Sequence, residues 1–393
     1  MKLAFVNQRY GLKVNGGSEY YTRMMAEHLA KQDGIEVEVL TTKAMDHNTW
    51  ENVYTQDVEQ INGITVRRFS VKHPKKDLSF RIADKLRRMN IKPKSVIEKN
   101  WIVKQGPYAP DLIHYIKQHK EDYDVFVFVT YLYYPTVFGL PEVSDKAILI
   151  PTAHDEPYIY MDIMKKVFCS PKAIFYLTEE EKQLVERTFH NQKIPSDVIG
   201  TGISYESGDI RQEEMQQFKE KYQIDDEYLI YAGRIDEAKG CREMFDFFLK
   251  NKKNHPDLKL VAMGQAGMEI PNDEAIVKTG FVEEREKQVA IAGAKALIMP
   301  SAYESLSIAV LEAMAMGVPV IVNGNSPVLK GHVERSKGGY YYRDYEEFCV
   351  AVDKLWKEDY LQLSQNAEDY VRKNYTWSEV LKRFLRIASI ANE

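Results

Sequence analysis

Residues 296–322 read ALIMPSAYESLSIAVLEAMAMGVPVIV. Ala296 to Met299 is an apolar run too short for a helix and stopped by Pro300, which is how a strand buried on both faces reads. Helical spacing begins near Ser307 and runs to Met316. Gly317 and Pro319 then end the helix, and Pro319 to Val322 forms a second apolar run. Strand, helix and strand in 27 residues is the unit of a parallel sheet, whose strands are continuously apolar because helices cover both faces.

The same rhythm extends in both directions. Towards the amino terminus, Tyr228 to Ala232 and Leu258 to Met263 read as strands, and Cys241 to Asn251 and Glu283 to Gly293 as helices. Earlier still, strands are expected at Lys2 to Asn7, Val37 to Thr41, Val125 to Val129, Ala147 to Ile150, Ile174 to Leu177 and Val198 to Ile199, with a helix from about Ser18 to Gln32. Helical periodicity resumes at Tyr345 and continues to the end. At 393 residues the chain exceeds what one core usually supports, so two βα domains are expected, with Thr201 to Gln217, rich in Gly, Ser and charge, as a hinge. The expected division is 1–200, 201–370 and a closing helix over 371–393.

Composition narrows the function. A formal net charge of −5 argues against nucleic acid as principal partner, because that affinity rests on Lys and Arg neutralising phosphates. Cys169, Cys241 and Cys349 are far apart and odd in number, forming neither a disulfide framework nor a zinc cluster, and are read as structural residues of a reducing compartment. The first residues, MKLAFVNQRYGLKV, turn polar too soon for a signal peptide or a bilayer span, so a cytoplasmic location is expected.

The chemistry-bearing residues sit where the expected strands end. Between Pro300 and Ser307, Glu304 occupies a loop leading into a helix start, whose amides attract anions, and Glu312 follows eight residues later. Eight helical residues advance about 12 Å, the reach from a sugar across a diphosphate to a ribose. Alone, such a Glu pair is also what a solvated helix face looks like. YAGRIDEAKG, after the strand at 228–232, brings Arg234 and Lys239 to the same edge. A guanidinium and an ammonium there neutralise a diphosphate, or else pair with surface acids such as Asp236 and Glu237. Gly264, in MGQAG, and Phe281 and Val282, in TGFV, follow the next strands, where glycines permit close approach of backbone to a base or ribose. In the first half, GGSEYY offers Gly16 and Gly17 for close backbone approach, with Ser18 as the helix N-cap and Glu19 in the first turn. PTAHDEPY places His154 and Asp155 at another strand end. The absence of G-x-G-x-x-G disfavours an NAD-dependent oxidoreductase.

Taken together, GGSE, HDEP, GR-x4-KG, E-x7-E with EAMAMGVPVIV, and the closing YTWSEVLKRFL resemble the GT-B glycosyltransferases of family 4 over nearly the whole chain. The HDEP form resembles the subset acting in O-antigen and capsule assembly. The resemblance implies an α/β GT-B fold, two Rossmann-like domains facing each other across a cleft, with the last helix crossing back to the amino-terminal domain. It implies a retaining, metal-independent hexosyl transfer from a UDP- or GDP-type sugar, with no cofactor, to a saccharide or polyprenyl-diphosphate-linked acceptor in cell-surface polysaccharide synthesis. Arg234 and Lys239 would hold the donor diphosphate, Glu304 the transferred sugar and Glu312 the ribose. Gly17 would approach the donor, and His154 would line the reaction centre. No Asp-x-Asp cluster is placed to hold a metal–diphosphate pair, in keeping with the family. Ser305-Leu306-Ser307 departs from the Gly-aromatic-Gly common there, so donor identity does not transfer.

Residues 72–104 stand apart. They hold eleven Lys or Arg against three Asp or Glu, with Leu78, Ile82, Leu86 and Met89 at helical spacing and breaks at Pro74, Pro93 and Pro107. Such a stretch reads equally as a peripheral anionic-membrane element and as a helix whose apolar stripe packs on its own domain. Two rival functions share the fold: a sugar-nucleotide epimerase, needing no acceptor, and a non-catalytic subunit, which would be expected to lose Arg234, Lys239 or Glu304.

Overall fold

The computed structural model describes residues 1–14, 16–75, 77–89, 92–204 and 210–392. Residues 76, 90 and 91 of the basic stretch, and 205–209 of the expected hinge, lie outside that description. The chain forms two compact units. One comprises Met1–Thr201 with the chain end from Ser378, the other Gly202–Trp377. The second unit therefore runs past residue 370, because the helix over 360–374 packs within it.

The first unit is built on eight strands: β1 (Lys2–Val6), β2 (Glu36–Thr42), β3 (Val58–Ile61), β4 (Ile64–Phe69), β5 (Val125–Val129), β6 (Ala147–Ile150), β7 (Ala173–Tyr176) and β8 (Ser196–Val198). Their order is β3-β4-β2-β1-β5-β6-β7-β8, parallel except for β3 against β4. That hairpin was not among the expected strands, since β3 is mostly exposed and polar. Asn62 and Gly63 close it, both at positive φ, as a two-residue hairpin turn requires. Its helices are α1 (Gly17–Leu29), α2 (Asp77–Arg88), α3 (Lys94–Gln105), α4 (Pro110–Gln118), α5 (Tyr134–Gly139), α6 (Met164–Cys169) and α7 (Glu179–Phe189). Every residue of β5 and β6 is buried, and each large apolar side chain so placed contributes roughly 1.5–3 kcal/mol.

In the second unit, α8 (Gln212–Tyr222) occupies part of the expected hinge. Six parallel strands follow: β9 (Tyr228–Ala232), β10 (Lys259–Met263), β11 (Ile276–Gly280), β12 (Ala296–Met299), β13 (Val320–Asn323) and β14 (Gly339–Tyr342), in the order β11-β10-β9-β12-β13-β14. Between and after them come α9 (Cys241–Asn251), α10 (Glu284–Ala292), α11 (Ile308–Ala315), α12 (Pro327–Ser336), α13 (Tyr345–Lys357), α14 (Tyr360–Asn374) and α15 (Trp377–Asn392). From Ser378 onward α15 belongs to the first unit, where Phe384 packs on Phe5 and Phe175. Strand order reverses between β1 and β5 in one unit and between β9 and β12 in the other. Such switch points open a crevice at the carboxyl ends of the strands, where ligands bind in open α/β sheets.

Candidate active site

The β9/β12 switch point gathers the charged residues expected there. After β9 the chain turns through Gly233 to Asp236, whose carboxylate accepts from Arg234 Nε and from the Lys239 backbone amide. Lys239 Nζ crosses to Glu304 Oε1 at 2.7 Å, joining the loops that follow β9 and β12. The backbones are equally close. A Cβ on Gly240, whose φ is +74°, would lie 2.6 Å from the Pro300 carbonyl oxygen. Arg234 keeps about half of its side chain exposed, whereas Glu304 is largely buried. The alternative pairings with surface acids hold only for Arg234 with Asp236. Glu237 pairs instead with Arg242.

Glu312 follows Glu304 across a stretch that is only partly helical. α11 starts at Ile308, so only the last part of the eight-residue interval is helical and the 12 Å helical rise does not apply. Its side chain is 3 % exposed, and Lys287 Nζ of α10 reaches both carboxylate oxygens at 3.0 Å. Burial pushes the Glu312 carboxyl above its usual range, and the Lys287 ammonium opposes the rise. Lys287 was absent from the sequence reading, because nothing in a surface-type helix, EREKQVAIA, marks one lysine as the partner of a buried acid.

The segment between the two glutamates carries a strained backbone. Ser307, the N-cap of α11, adopts φ +66° and ψ 79°. Positive φ is uncommon for a residue with a Cβ and tends to persist at ligand-binding turns. The glycine that the family pattern prefers would hold this conformation without strain. Leu306 is buried, its carbonyl accepting from His332 Nε2 at 2.8 Å, while Ser305 stands half-exposed beside it. Gly264, φ +136°, lies so near Gly233 that a Cβ would sit 1.9 Å from its carbonyl oxygen. Phe281 is 66 % exposed and Val282 half-buried, directly beyond β11.

The first unit has its own polar edge. Gly16, not Ser18, is the N-cap of α1, and Gly17 is its first residue. A Cβ on Gly17 would meet nothing within 4 Å, whereas one on Gly16 would lie 2.1 Å from Glu19 Oε2. Glu19 is more than a first-turn acid. It is buried, accepts from Gln8 Nε2 and Arg9 Nε at 2.9 Å, and forms a buried ion pair with Arg9. His154 is about one-third exposed, with Nε2 3.6 Å from Glu156 Oε1, which itself accepts from Tyr131 at 2.7 Å. Asp155 accepts from Tyr160. Two threonines beneath this loop, Thr130 after β5 and Thr152 after β6, sit at φ +74° and +52°, and their hydroxyls are 3.2 Å apart. Positive φ at a β-branched residue is an outlier of the kind that clusters at working sites. No sequence signal announces it. Glu181 of α7 fixes the same loop from below, each oxygen taking a backbone amide: Ala153 at 2.5 Å and Leu177 at 2.6 Å.

Comparison with known proteins places this geometry. Residues 212–374 match the family described as glycosyl transferases group 1. Over the full chain, an uncharacterized glycosyltransferase of Methanocaldococcus jannaschii is 24% identical, covering 100% of this chain and 99% of that protein. The alpha-monoglucosyldiacylglycerol synthase of Streptococcus pneumoniae is 26% identical over 42% of this chain and 40% of its own length. Among solved structures, Anabaena HepE in complex with UDP and glucose superposes with a TM-score of 0.71 at 13% identity, covering 99% of both chains. Sucrose-phosphate synthase from Thermosynechococcus elongatus does so at 0.70 and 15%, covering 98% of both. The fold is that of GT-B structures, two Rossmann-like domains on parallel sheets. Residues 212–374 are thus similar to glycosyl transferases group 1, and the chain is a transferase enzyme.

Proposed function

We propose that the protein is a retaining, metal-independent glycosyltransferase that uses a nucleotide-diphosphate sugar, UDP-linked before GDP-linked, and a lipid-linked saccharide or lipid acceptor in the assembly of cell-surface glycans. One observation carries this reading: Lys239 and Glu304 meet at the β9/β12 switch point, with Arg234 tied to the same turn through Asp236. A departing diphosphate needs fixed positive charge, and a guanidinium, an ammonium and the amides opening α11 supply it without a metal ion. The sequence does contain one Asp-x-Asp, Asp122-Tyr123-Asp124. It lies at the entry to β5, the amino end of the sheet, with Asp124 accepting from the Lys2 amide. That is the wrong edge for a metal–diphosphate pair.

In this reading Lys239 exchanges Glu304 for the diphosphate when donor enters, which frees the carboxylate to accept from sugar hydroxyls. Glu312, held by Lys287, accepts from the ribose. The acceptor hydroxyl attacks on the face the diphosphate leaves, which retains configuration, and passes its proton to the departing diphosphate oxygen. UDP is preferred as carrier because HepE was solved with UDP and with UDP-glucose. A thermal-shift panel of UDP, GDP, ADP and CMP with their sugars tests the reading. One diphosphate series should raise the melting temperature by mass action, and no response to any of them would overturn it.

Lipid as the acceptor class is supported from two sides. Relatives include proteins named for diacylglycerol glucosylation. The apolar stripe of α2 does not pack on its own domain, since Leu78, Ile82, Leu86 and Met89 are all exposed, Leu78 at 74 %. The inward face is instead Phe80 and Ala83, Phe80 lying against Trp101. Arg81, Lys85 and Arg88 stand exposed among the stripe residues, the composition of an element that lies in an anionic interface. No helix among the described residues is long and apolar enough to cross a membrane. Flotation with phosphatidylglycerol vesicles should carry the protein upward. The triple variant Leu78→Ser, Ile82→Ser, Met89→Ser should stay behind, and equal flotation of both proteins would remove the membrane role.

A further inference from the structure

In the first unit a cavity of about 150 Å³ opens between α3 and residues 157–162, and it adjoins the helix carrying the exposed stripe. Its walls include Arg87, Lys94, Glu98, Tyr160 and Asp162. Resting on the reading above, we propose that this cavity is the acceptor subsite, and that it takes one uncharged sugar ring.

The walls are built rather than incidental. Glu98 is buried, and its two oxygens accept from the backbone amides of Asp162 at 3.1 Å and Ile163 at 2.9 Å, which pins the 157–162 segment to α3. Arg87 is held by Asp84 through Nε and Nη2 and lies over the rings of Tyr158 and Trp101, at 4.9 and 5.7 Å. These contacts leave Arg87 Nη1, the Lys94 ammonium and the Asp162 carboxylate without hydrogen-bond partners among the described residues. Spare donors and spare acceptors therefore face one small space.

Charge decides between ligand classes. Two cations, Arg87 and Lys94, are balanced by two carboxylates, Glu98 and Asp162, so an isolated phosphate would gain little and would meet Asp162. A sugar hydroxyl satisfies both kinds of group, because it accepts from Lys94 and donates to Asp162. The Tyr160 ring in the wall suits the apolar side of a sugar ring. The volume holds about five waters, the size of one sugar rather than a chain. The position fits as well: Pro157 begins three residues after His154, and Arg87 lies on α2, so a sugar joined to a lipid in the bilayer that α2 touches would reach this cavity.

Saturation-transfer NMR on the full chain tests the assignment, using methyl glycosides of glucose, galactose, mannose and N-acetylglucosamine at about 10 mM, the range of single-sugar affinities. At least one should receive saturation, and the response should fall about tenfold in Lys94→Ala and in Asp162→Asn, each of which deletes a charged hydrogen bond at an exposed position. It should persist in Glu304→Gln, which alters only the donor side. Loss in Glu304→Gln with retention in Lys94→Ala and Asp162→Asn would overturn the subsite. So would displacement of every glycoside by inorganic phosphate, or no saturation at all. A chain that still answers the nucleotide panel while failing here would disprove the subsite and leave the donor reading standing.

Discussion

Replacing Lys287 with methionine keeps the apolar stem and removes the ammonium that faces Glu312. The carboxylate then lies 3 % exposed with its cation gone. If it stayed ionised, an unpaired buried charge would cost about 3–5 kcal/mol. Protonation offers an escape whose cost is fixed by pH. From an ordinary value of 4.5, holding the proton at pH 7 costs about 2.5 × 1.36, or about 3.4 kcal/mol, and at pH 5 about 0.7 kcal/mol. The smaller route wins, so the variant should lose about 3–3.4 kcal/mol at pH 7 and under about 1 kcal/mol at pH 5. The sign follows from linkage. A carboxyl raised in the folded state holds its proton where the unfolded chain has released it, so stability is lost as pH rises from 4.5 towards the folded value. Lys287 also meets Glu284 at 2.8 Å, but that acid is nearly half-exposed and adds little. Urea unfolding of both proteins at pH 5 and pH 7 gives the comparison. A loss that is equal at the two pH values, or below about 0.5 kcal/mol at pH 7, the range of an ordinary surface substitution, would show that Glu312 does not depend on Lys287.

Two further substitutions probe the strand ends. Gly264→Ala forces a Cβ into the Gly233 carbonyl at φ +136°, so it should cost about 1–3 kcal/mol and weaken nucleotide binding, read by thermal unfolding with and without UDP. An unchanged midpoint would show that the turn yields freely. Burial pushes Glu181 up to about 8, against the amides it accepts from, so wild-type stability should fall between about pH 4.5 and 8 as the unfolded chain releases the proton first. Glu181→Gln lacks that slope and loses one amide acceptor, so its deficit should be largest at pH 5 and shrink towards pH 8. A deficit independent of pH would refute this, with urea midpoints as the readout.

Much of the architecture was legible in the sequence because parallel strands buried on both faces leave unbroken apolar runs. β5, β6, β9 and β12 have the bounds that their apolar residues imply. β3 and β4 escaped this signal, since an edge hairpin with an exposed face has no such run, and only Asn62-Gly63 betrays it. Lys239 and Glu304 were readable because each follows a strand ending at the same edge. The helical rise between Glu304 and Glu312 was not legible, because the stretch between them is not helical until Ile308. Lys287, Glu181 and the positive-φ threonines were invisible: each owes its role to packing from a distant segment, which local pattern does not encode. The stripe in 72–104 was seen, but which way it faced depended on tertiary packing against Phe80 and Ala83.

Calorimetric titration of UDP into the wild-type chain and into Arg234→Ala and Lys239→Ala addresses the donor site directly. Each variant deletes one charge-assisted contact, so affinity should fall by about tenfold to a hundredfold, and transfer by about a hundredfold or more. Wild-type affinity in both variants would mean that the diphosphate rests elsewhere, and the proposed mechanism would fail with it.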